Sequence, residues 1–259
     1  MTLKLYIVLR VNMSLSYAIV IPARYESSRF PGKPLTIIDG KPMIQHVWER
    51  CCRAVDKELV YIATDNIKIA NAVTEFGGKF IMTSSQCLTG TDRLAEANEV
   101  LNCDFIINVQ GDEPLIDPKD IVTVINEYTR LPNRVINAMS LIEDEDEFRS
   151  PNIPKVVVSS SNRLMYMSRS PVPITKTGGF AFGYKQVCIY AFSKEHLRFF
   201  MAHAEKSKVE EVEDIEILRF IESDISVQMV EVASSSIAVD IPEDVNKVIS
   251  KIKANKNLG

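Results

Sequence analysis

Tyr17–Lys33 reads YAIVIPARYESSRFPGK, and this stretch decides the fold. Tyr17 to Ile21 is a compact apolar run without polar alternation, which predicts a parallel strand buried on both faces. The run breaks at Pro22. The following turns carry Arg24, Arg29 and Lys33, with Ser27, Ser28 and Gly32 between them. Open α/β sheets bind ligands at the carboxyl ends of their strands. Clustered cations and exposed amides there suit a chain of phosphates. The stretch therefore predicts a nucleotide site.

Working outward, strand and helix patterns alternate. Leu35 to Ile38 with Asp39-Gly40 predicts a short strand and a turn, and Pro42 suits a first helical position. Met43, Val47 and Cys51 form one apolar stripe, with Ile44, Trp48 and Val55 beside it. Leu59 to Ala63 is a second buried strand. Thr64 or Asp65 is placed to cap a helix running to Phe76, with Gly77-Gly78 ending it. Phe80 to Met82 and Phe105 to Val109 are further strands, with a helix from TGTDR (Thr89–Arg93) to Leu101 between them. Asp117-Pro118 starts the next helix. This βαβ repetition predicts a Rossmann-like α/β fold, a mostly parallel sheet with helices on its faces.

After Pro132 the periodicity changes. Val135–Ile142, Pro154–Ser159, Leu164–Met167, Val187–Phe192 and Ile225–Val230 read as strands, the first two separated by an acidic loop. Ser168–Lys185 has neither period and reads as a long loop over a site or an interface. Helices are expected from Lys194 to Ala204 and from Glu210 to Glu222. The chain closes with a strand over Ile237–Asp240 and a helix through Val245, Val248 and Ile249. The organisation expected is an extension over 1–12, a nucleotide-binding core over 13–132, a smaller mixed sugar-binding and dimerisation subdomain over 133–236, and a returning segment over 237–259. The extension reads as a poorly attached tail, with an added outer strand as the alternative.

Composition narrows the classes. A net charge of -4 over 259 residues gives no support for a nucleic-acid surface. Five cysteines, an odd count without metal-ligand spacing, point to a reducing cytoplasm, and Cys51-Cys52 read as packing residues. No apolar run approaches the roughly 18 residues of a membrane span. The P-loop and the dinucleotide fingerprint are both absent, and no nucleophile triad is present. His46, His196 and His203 sit in helix patterns without a metal cluster.

Asp112 follows a buried strand, and Gly111 beside it lets the backbone pass close to a neighbour. Asp240 ends another apolar segment. Two carboxylates at such positions can hold Mg²⁺, a hard ion whose shell substrate phosphates often complete. The plainer alternative is that Asp112 caps a turn and Asp240 the final helix.

At this point the residues carry a resemblance. IPARYESSRFPGKPL (Ile21–Leu35), GKPMIQHVWER (Gly40–Arg50), YIATDN (Tyr61–Asn66), TGTDRLAE (Thr89–Glu96), NVQGDEPLI (Asn108–Ile116) and VDIPEDV (Val239–Val245) resemble the 3-deoxy-manno-octulosonate cytidylyltransferases, in that family's order. These are the CMP-Kdo synthetases of lipopolysaccharide synthesis. The resemblance implies that CTP and 3-deoxy-D-manno-octulosonate (Kdo) give CMP-Kdo and diphosphate with Mg²⁺, in a cytoplasmic homodimer. It gives Arg24 and Lys33 the triphosphate, with Ala23, Ser28 and Arg29 nearby. Gln110 reads the cytosine or orients the ribose, and Thr89, Gly90 and Arg93 border the nucleotide. Asp112 and Asp240 match the metal aspartates.

On the sugar side, MYMSR (Met165–Arg169) resembles a family segment that makes Arg169 a partner for the substrate carboxylate. Gln186, Tyr190, Glu210 and Glu213 fall in the other sugar-side segments. This chain departs there: Gln186 stands for a histidine, Cys188 for a glycine, Lys208 for a proline and Ile217 for a glutamine. A related acid such as 8-amino-3,8-dideoxy-Kdo is therefore an alternative acceptor. A hexose-1-phosphate nucleotidyltransferase or an inactive binding protein are the other classes. Glu210, Glu213 and Glu216 are expected on one helical side, as a solvated face, a pocket wall or a dimer contact.

Overall fold

The computed structural model describes residues 15–26, 30–203, 205–233 and 236–256. The extension over 1–12 lies outside them.

The first strand, β1 (Tyr17–Ala23), is buried on both sides. Ala18 and Val20 pack into one apolar layer, Ile19 and Ile21 into the other. This two-sided burial is the physical reason the segment has no polar alternation. Next come β2 (Ile37–Ile38) and β3 (Lys41–Pro42), a hairpin turned by Asp39 and Gly40, both at positive φ. Lys33–Leu35 is a single 3-10 turn, so the expected strand begins only at Ile37. Helix α1 (Met43–Ala54) follows, and Pro42 sits just outside it at the N-cap.

β4 (Val60–Thr64), α2 (Ile67–Glu75), β5 (Lys79–Met82), α3 (Gly90–Leu101), β6 (Phe105–Val109) and α4 (Pro118–Arg130) complete the alternating half. Asn66, rather than Thr64 or Asp65, caps α2, accepting from the Lys68 N–H at 2.9 Å. Asp117 caps α4 with Pro118 in its first turn.

The second half holds β7 (Val135–Leu141), α5 (Glu145–Arg149), β8 (Lys155–Val158), β9 (Leu164–Ser168) and β10 (Tyr184–Ser193). It ends with α6 (Lys194–Ala202), α7 (Lys208–Glu213), α8 (Leu218–Glu222), β11 (Val227–Glu231) and α9 (Pro242–Lys256). The acidic loop contains the short α5, which Asp144 caps through the Glu147 N–H. The helix expected over Glu210–Glu222 is two pieces, because Asp214 turns left-handed at φ 51 and ends α7. Ile237–Asp240 is not a strand.

Both halves share one sheet, in the order β11-β7-β10-β6-β1-β4-β5, with β8 on β10 and β9 on β8. The pairs β1–β4, β1–β6, β4–β5 and β7–β11 are parallel. β10 runs antiparallel between β6 and β7. Residue 132 is thus not a break in the sheet. α3 and α6 cover one face through Leu94, Leu197 and Phe200. On the other, α1, α2 and α4 pack Ile44, Val47, Val73, Ile121 and Val124. α9 returns to the first half, packing Val248 against Ile38, Met43 and Val239.

Candidate active site

The carboxyl ends of β1 and β6 open into a cavity of about 290 Å³, lined by Ala23, Arg24, Lys33, Thr89, Gly90, Arg93, Gln110, Asp112 and Asp240 among others. Gly32 holds φ 69, and its N–H donates to the Tyr25 carbonyl at 2.9 Å, which folds the loop back before Lys33. An added Cβ at Gly111 would stand 2.8 Å from the Pro22 carbonyl oxygen. Its close neighbour is therefore β1, and a side chain there would push the two rims apart. Ser28 and Arg29 lie outside the described residues.

Asp112 and Asp240 come together through the backbone. The Val239 N–H donates to the Asp112 carbonyl at 2.9 Å. Lys33 Nζ then donates both to Asp112 Oδ2 and to the Val239 carbonyl, each at 2.8 Å. The start of α9 is closed by Asp244, whose Oδ2 accepts from the Asp240 and Ile241 N–H groups. The Asp240 side chain lines the cavity instead of serving as that cap.

The donor set suits a hard cation: two carboxylates and a carbonyl at one rim, already satisfied in part by an ammonium. Among the described residues no cluster of three or more His, Cys, Asp or Glu could hold a metal by itself. An octahedral cation at Asp112 and Asp240 would need oxygens from solvent and substrate, as Mg²⁺ usually does.

The α3 side is built from capping. Thr89 caps α3 in a reciprocal box, its N–H and hydroxyl both 2.8 Å from Asp92 Oδ2. Gln110 lies against Gly90, where a Cβ would stand 3.1 Å from Nε2. Arg93 is nearly fully buried, donating to Thr83 Oγ1 at 2.5 Å and Asp65 Oδ2 at 2.9 Å. It shapes the wall with its charge already paired.

Glu216, with Lys206 and Asp214, is a lining residue that sequence reasoning did not assign to this cavity. It accepts from the Gly90 N–H at 3.0 Å, the Thr91 N–H at 3.1 Å and the Thr91 hydroxyl at 2.6 Å. Burial raises its pKa, against those hydrogen bonds. Burial, then the charge of Asp112, likewise raises Glu113, which accepts from the Cys188 N–H at 3.3 Å. Lys206 and Asp214 complete the lining from the second half.

The sugar-side residues do not reach this lining. Glu210 is fully buried and clasped by Arg219, Nε to Oε2 and Nη2 to Oε1 both at 2.6 Å. Glu213 accepts from Ser168 Oγ at 2.6 Å, the Arg169 N–H at 2.8 Å and the Tyr166 hydroxyl at 3.2 Å. The Arg169 guanidinium donates to the carbonyls of Glu213, Pro151 and Asp214 at 2.5, 2.9 and 2.9 Å. Gln186 Nε2 donates to Asn137 Oδ1, whose own amide closes two carbonyls at the β10 bulge. Tyr190 is buried and stacked on Phe192. Since α7 ends at Asp214, Glu216 leaves the helical side that Glu210 and Glu213 occupy.

Comparison with known proteins agrees with this architecture. A family model described as "Cytidylyltransferase" matches residues 18–229. A 3-deoxy-manno-octulosonate cytidylyltransferase of Geobacter sulfurreducens is 43% identical over 246 residues, 90% of this chain and 98% of the relative. An 8-amino-3,8-dideoxy-manno-octulosonate cytidylyltransferase of Shewanella pealeana is 39% identical over 236 residues, 89% of this chain and 96% of the relative. A solved CMP:2-keto-3-deoxy-manno-octonic acid synthetase complexed with CTP superposes with a TM-score of 0.84 at 39% identity, covering 93% of this chain and 99% of that one. With matches of this identity and extent, the chain belongs to the 3-deoxy-manno-octulosonate cytidylyltransferase family.

Proposed function

We propose that the protein transfers the cytidylyl group of CTP to the anomeric hydroxyl of Kdo, releasing diphosphate. The observation that carries this is the convergence of Arg24, Lys33, Asp112 and Asp240 on one cavity at the ends of β1 and β6. The sugar hydroxyl oxygen forms the new bond to the α-phosphorus, the bond to the diphosphate oxygen breaks, and the hydroxyl proton passes to solvent.

Arg24 and Lys33 hold the triphosphate and offset the charge growing on the leaving diphosphate. Asp112 and Asp240 would hold Mg²⁺. When bound, Mg²⁺ supplies positive charge to the phosphate oxygens and favours the ionised form of a hydroxyl it touches. In the structure Lys33 also ties Asp112 to the Val239 carbonyl, which leaves a third ammonium donor for a phosphate oxygen. Gln110, Thr89, Gly90 and Arg93 wall the nucleoside end. Holding both anions in one orientation supplies much of the rate.

A second reading keeps the reaction and changes the acceptor to 8-amino-3,8-dideoxy-Kdo. Relatives of both kinds match over nearly the same length, 246 and 236 residues, at comparable identity. We further propose a homodimer in a reducing, cytoplasmic setting. Leu141 at the end of β7, Ile174 in the loop between β9 and β10, and Phe182 just before β10 stay exposed, and no cysteine among the described residues is in a disulfide. No helix among the described residues is long and apolar enough to cross a membrane. One concentration-independent monomer in sedimentation would contradict the dimer.

The test of the reaction is product identification. Protein, CTP, Mg²⁺ and Kdo should yield a CMP-Kdo phosphodiester and diphosphate in equal amounts by ³¹P NMR. Hydrolysis of CTP without a sugar phosphodiester would overturn it.

A further inference from the structure

An acidic sugar must bring its carboxylate beside a triphosphate, so it needs a cation of its own. Among the described residues, the cations lining the cavity are Arg24, Lys33, Arg93 and Lys206. Lys33 is held on Asp112 and the Val239 carbonyl, and Arg93 is buried on Asp65 and Thr83. Arg24 directly follows β1, at the end assigned to phosphate. Arg169 spends its guanidinium on three carbonyls outside the lining. That leaves Lys206, which the second half brings to the cavity with Asp214 and Glu216.

We propose that Lys206 is the specificity residue that receives the acceptor's carboxylate, giving up Asp214 to do so; this rests on the reading of the acceptor as a sugar acid. In the structure Lys206 Nζ donates to Asp214 Oδ1 at 2.7 Å. Their side chains are 31% and 66% exposed, and ion pairs that wet are weak. Exchanging one carboxylate for another across the same ammonium therefore costs little. Asp214 is not stranded by the exchange. It remains largely solvated, and Arg169 Nη2 stands 4.0 Å from its Oδ2.

The two partners differ in freedom in a way that suits a latch. Asp214 is fixed as the left-handed end of α7, its N–H donating to the Glu210 carbonyl at 2.7 Å and its carbonyl accepting from Arg169. Lys206 lies before α7 on a flexible four-carbon stem with three rotatable donors, so it is the member able to move. Resting on Asp214, it stays at the cavity wall between turnovers. The second observation is the carboxylate of Glu216, half-buried on the same wall and held by the Gly90 and Thr91 N–H groups. Its charge disfavours an acceptor carboxylate nearby and turns that group toward Lys206.

The test compares Kdo with its C1 carboxamide, which keeps every hydroxyl and loses the charge. Wild type, Lys206→Gln and Lys206→Arg are assayed for diphosphate release with each acceptor and with varied CTP. Loss of one charge-assisted contact should cost about tenfold in kcat/KM for Kdo in Lys206→Gln. The change should fall mainly in the Kdo KM, with the carboxamide rate and the CTP KM unchanged and much of the loss restored in Lys206→Arg. An acid-to-amide preference in Lys206→Gln equal to the wild type's would overturn the inference. So would a raised KM for CTP alone, which would make Lys206 a phosphate ligand. Both results differ from failure of the functional reading itself, in which wild type releases no diphosphate with Kdo or its 8-amino analogue.

Discussion

The backbone N–H of Val239 donates to the carbonyl oxygen of Asp112 at 2.9 Å, although the two residues lie in opposite halves of the chain. One peptide further on is Asp240. A single backbone bond therefore carries the second carboxylate to the rim where the first stands. Lys33 ties the same junction from the loop after β1. Three distant segments thus meet before any substrate arrives, and preorganisation of this kind is what charge stabilisation in the transition state requires.

Asp112→Asn and Asp240→Asn should each lower kcat by more than about 10², since each removes a charged oxygen from the cation's position. Asn keeps the shape, and at Asp112 it leaves the backbone bond to Val239 in place. Steady-state assays at saturating Mg²⁺ check this. Wild-type kcat in either variant would remove that residue from the proposed metal site.

Arg219→Met should be among the most damaging single changes, at about 3–5 kcal/mol, because it leaves the Glu210 carboxylate buried and unpaired. Adding Glu210→Met should restore most of the loss, as buried pairs are often replaceable by apolar residues. Urea melts of the two singles and the double measure this. The double variant should keep its KM for Kdo, in line with an ion pair that holds α7 to α8.

Glu216→Ala should weaken the start of α3, where its carboxylate meets two N–H groups and a hydroxyl. The expected loss is about 1–3 kcal/mol with a raised KM for CTP, because α3 borders the cavity. Glu216→Gln keeps acceptor oxygen and should recover part of both. An unchanged melt would show that water replaces the carboxylate without loss.

Asp120 supplies a pH-dependent prediction. Burial, then the neighbouring charge of Asp117, pushes its pKa up to about 6 from the model-peptide value of 3.8. The folded state thus holds this proton more tightly than the unfolded one. Its contribution is fully present below pH 3.8 and is lost as pH rises through about 6. Asp120→Asn should therefore raise Tm more at pH 7.5 than at pH 4. An equal effect at both values would mean the carboxylate is not strained by burial.

The legible parts of the fold were those where local chemistry and tertiary packing ask for the same residue. Phe105–Val109 is apolar but for the buried Asn108 because both sheet faces cover it, and Asp117-Pro118 starts α4 because capping is local. The cavity-lining Arg24, Asp112 and Asp240 were legible because each follows an apolar run. Periodicity marks β10 as a strand but carries no sign that it lies antiparallel between β6 and β7. Asp214 breaks the Glu210–Glu222 helix by adopting a left-handed turn that Asp tolerates without signalling it. Ile237–Asp240 looks like a strand because Val239 is buried, yet its burial is against α9 and α1. Glu216 and Lys206 join the cavity only through the placement of α7 and α8, which no local pattern reveals.

The central claim is tested most directly by the acceptor. Diphosphate release is measured with CTP and Mg²⁺ and, in parallel, Kdo, 8-amino-3,8-dideoxy-Kdo or glucose 1-phosphate. The account predicts turnover with a 3-deoxy-octulosonic acid and none with the sugar phosphate, the ratio of kcat/KM between the two acids naming the natural acceptor. Turnover with glucose 1-phosphate and neither acid would contradict it.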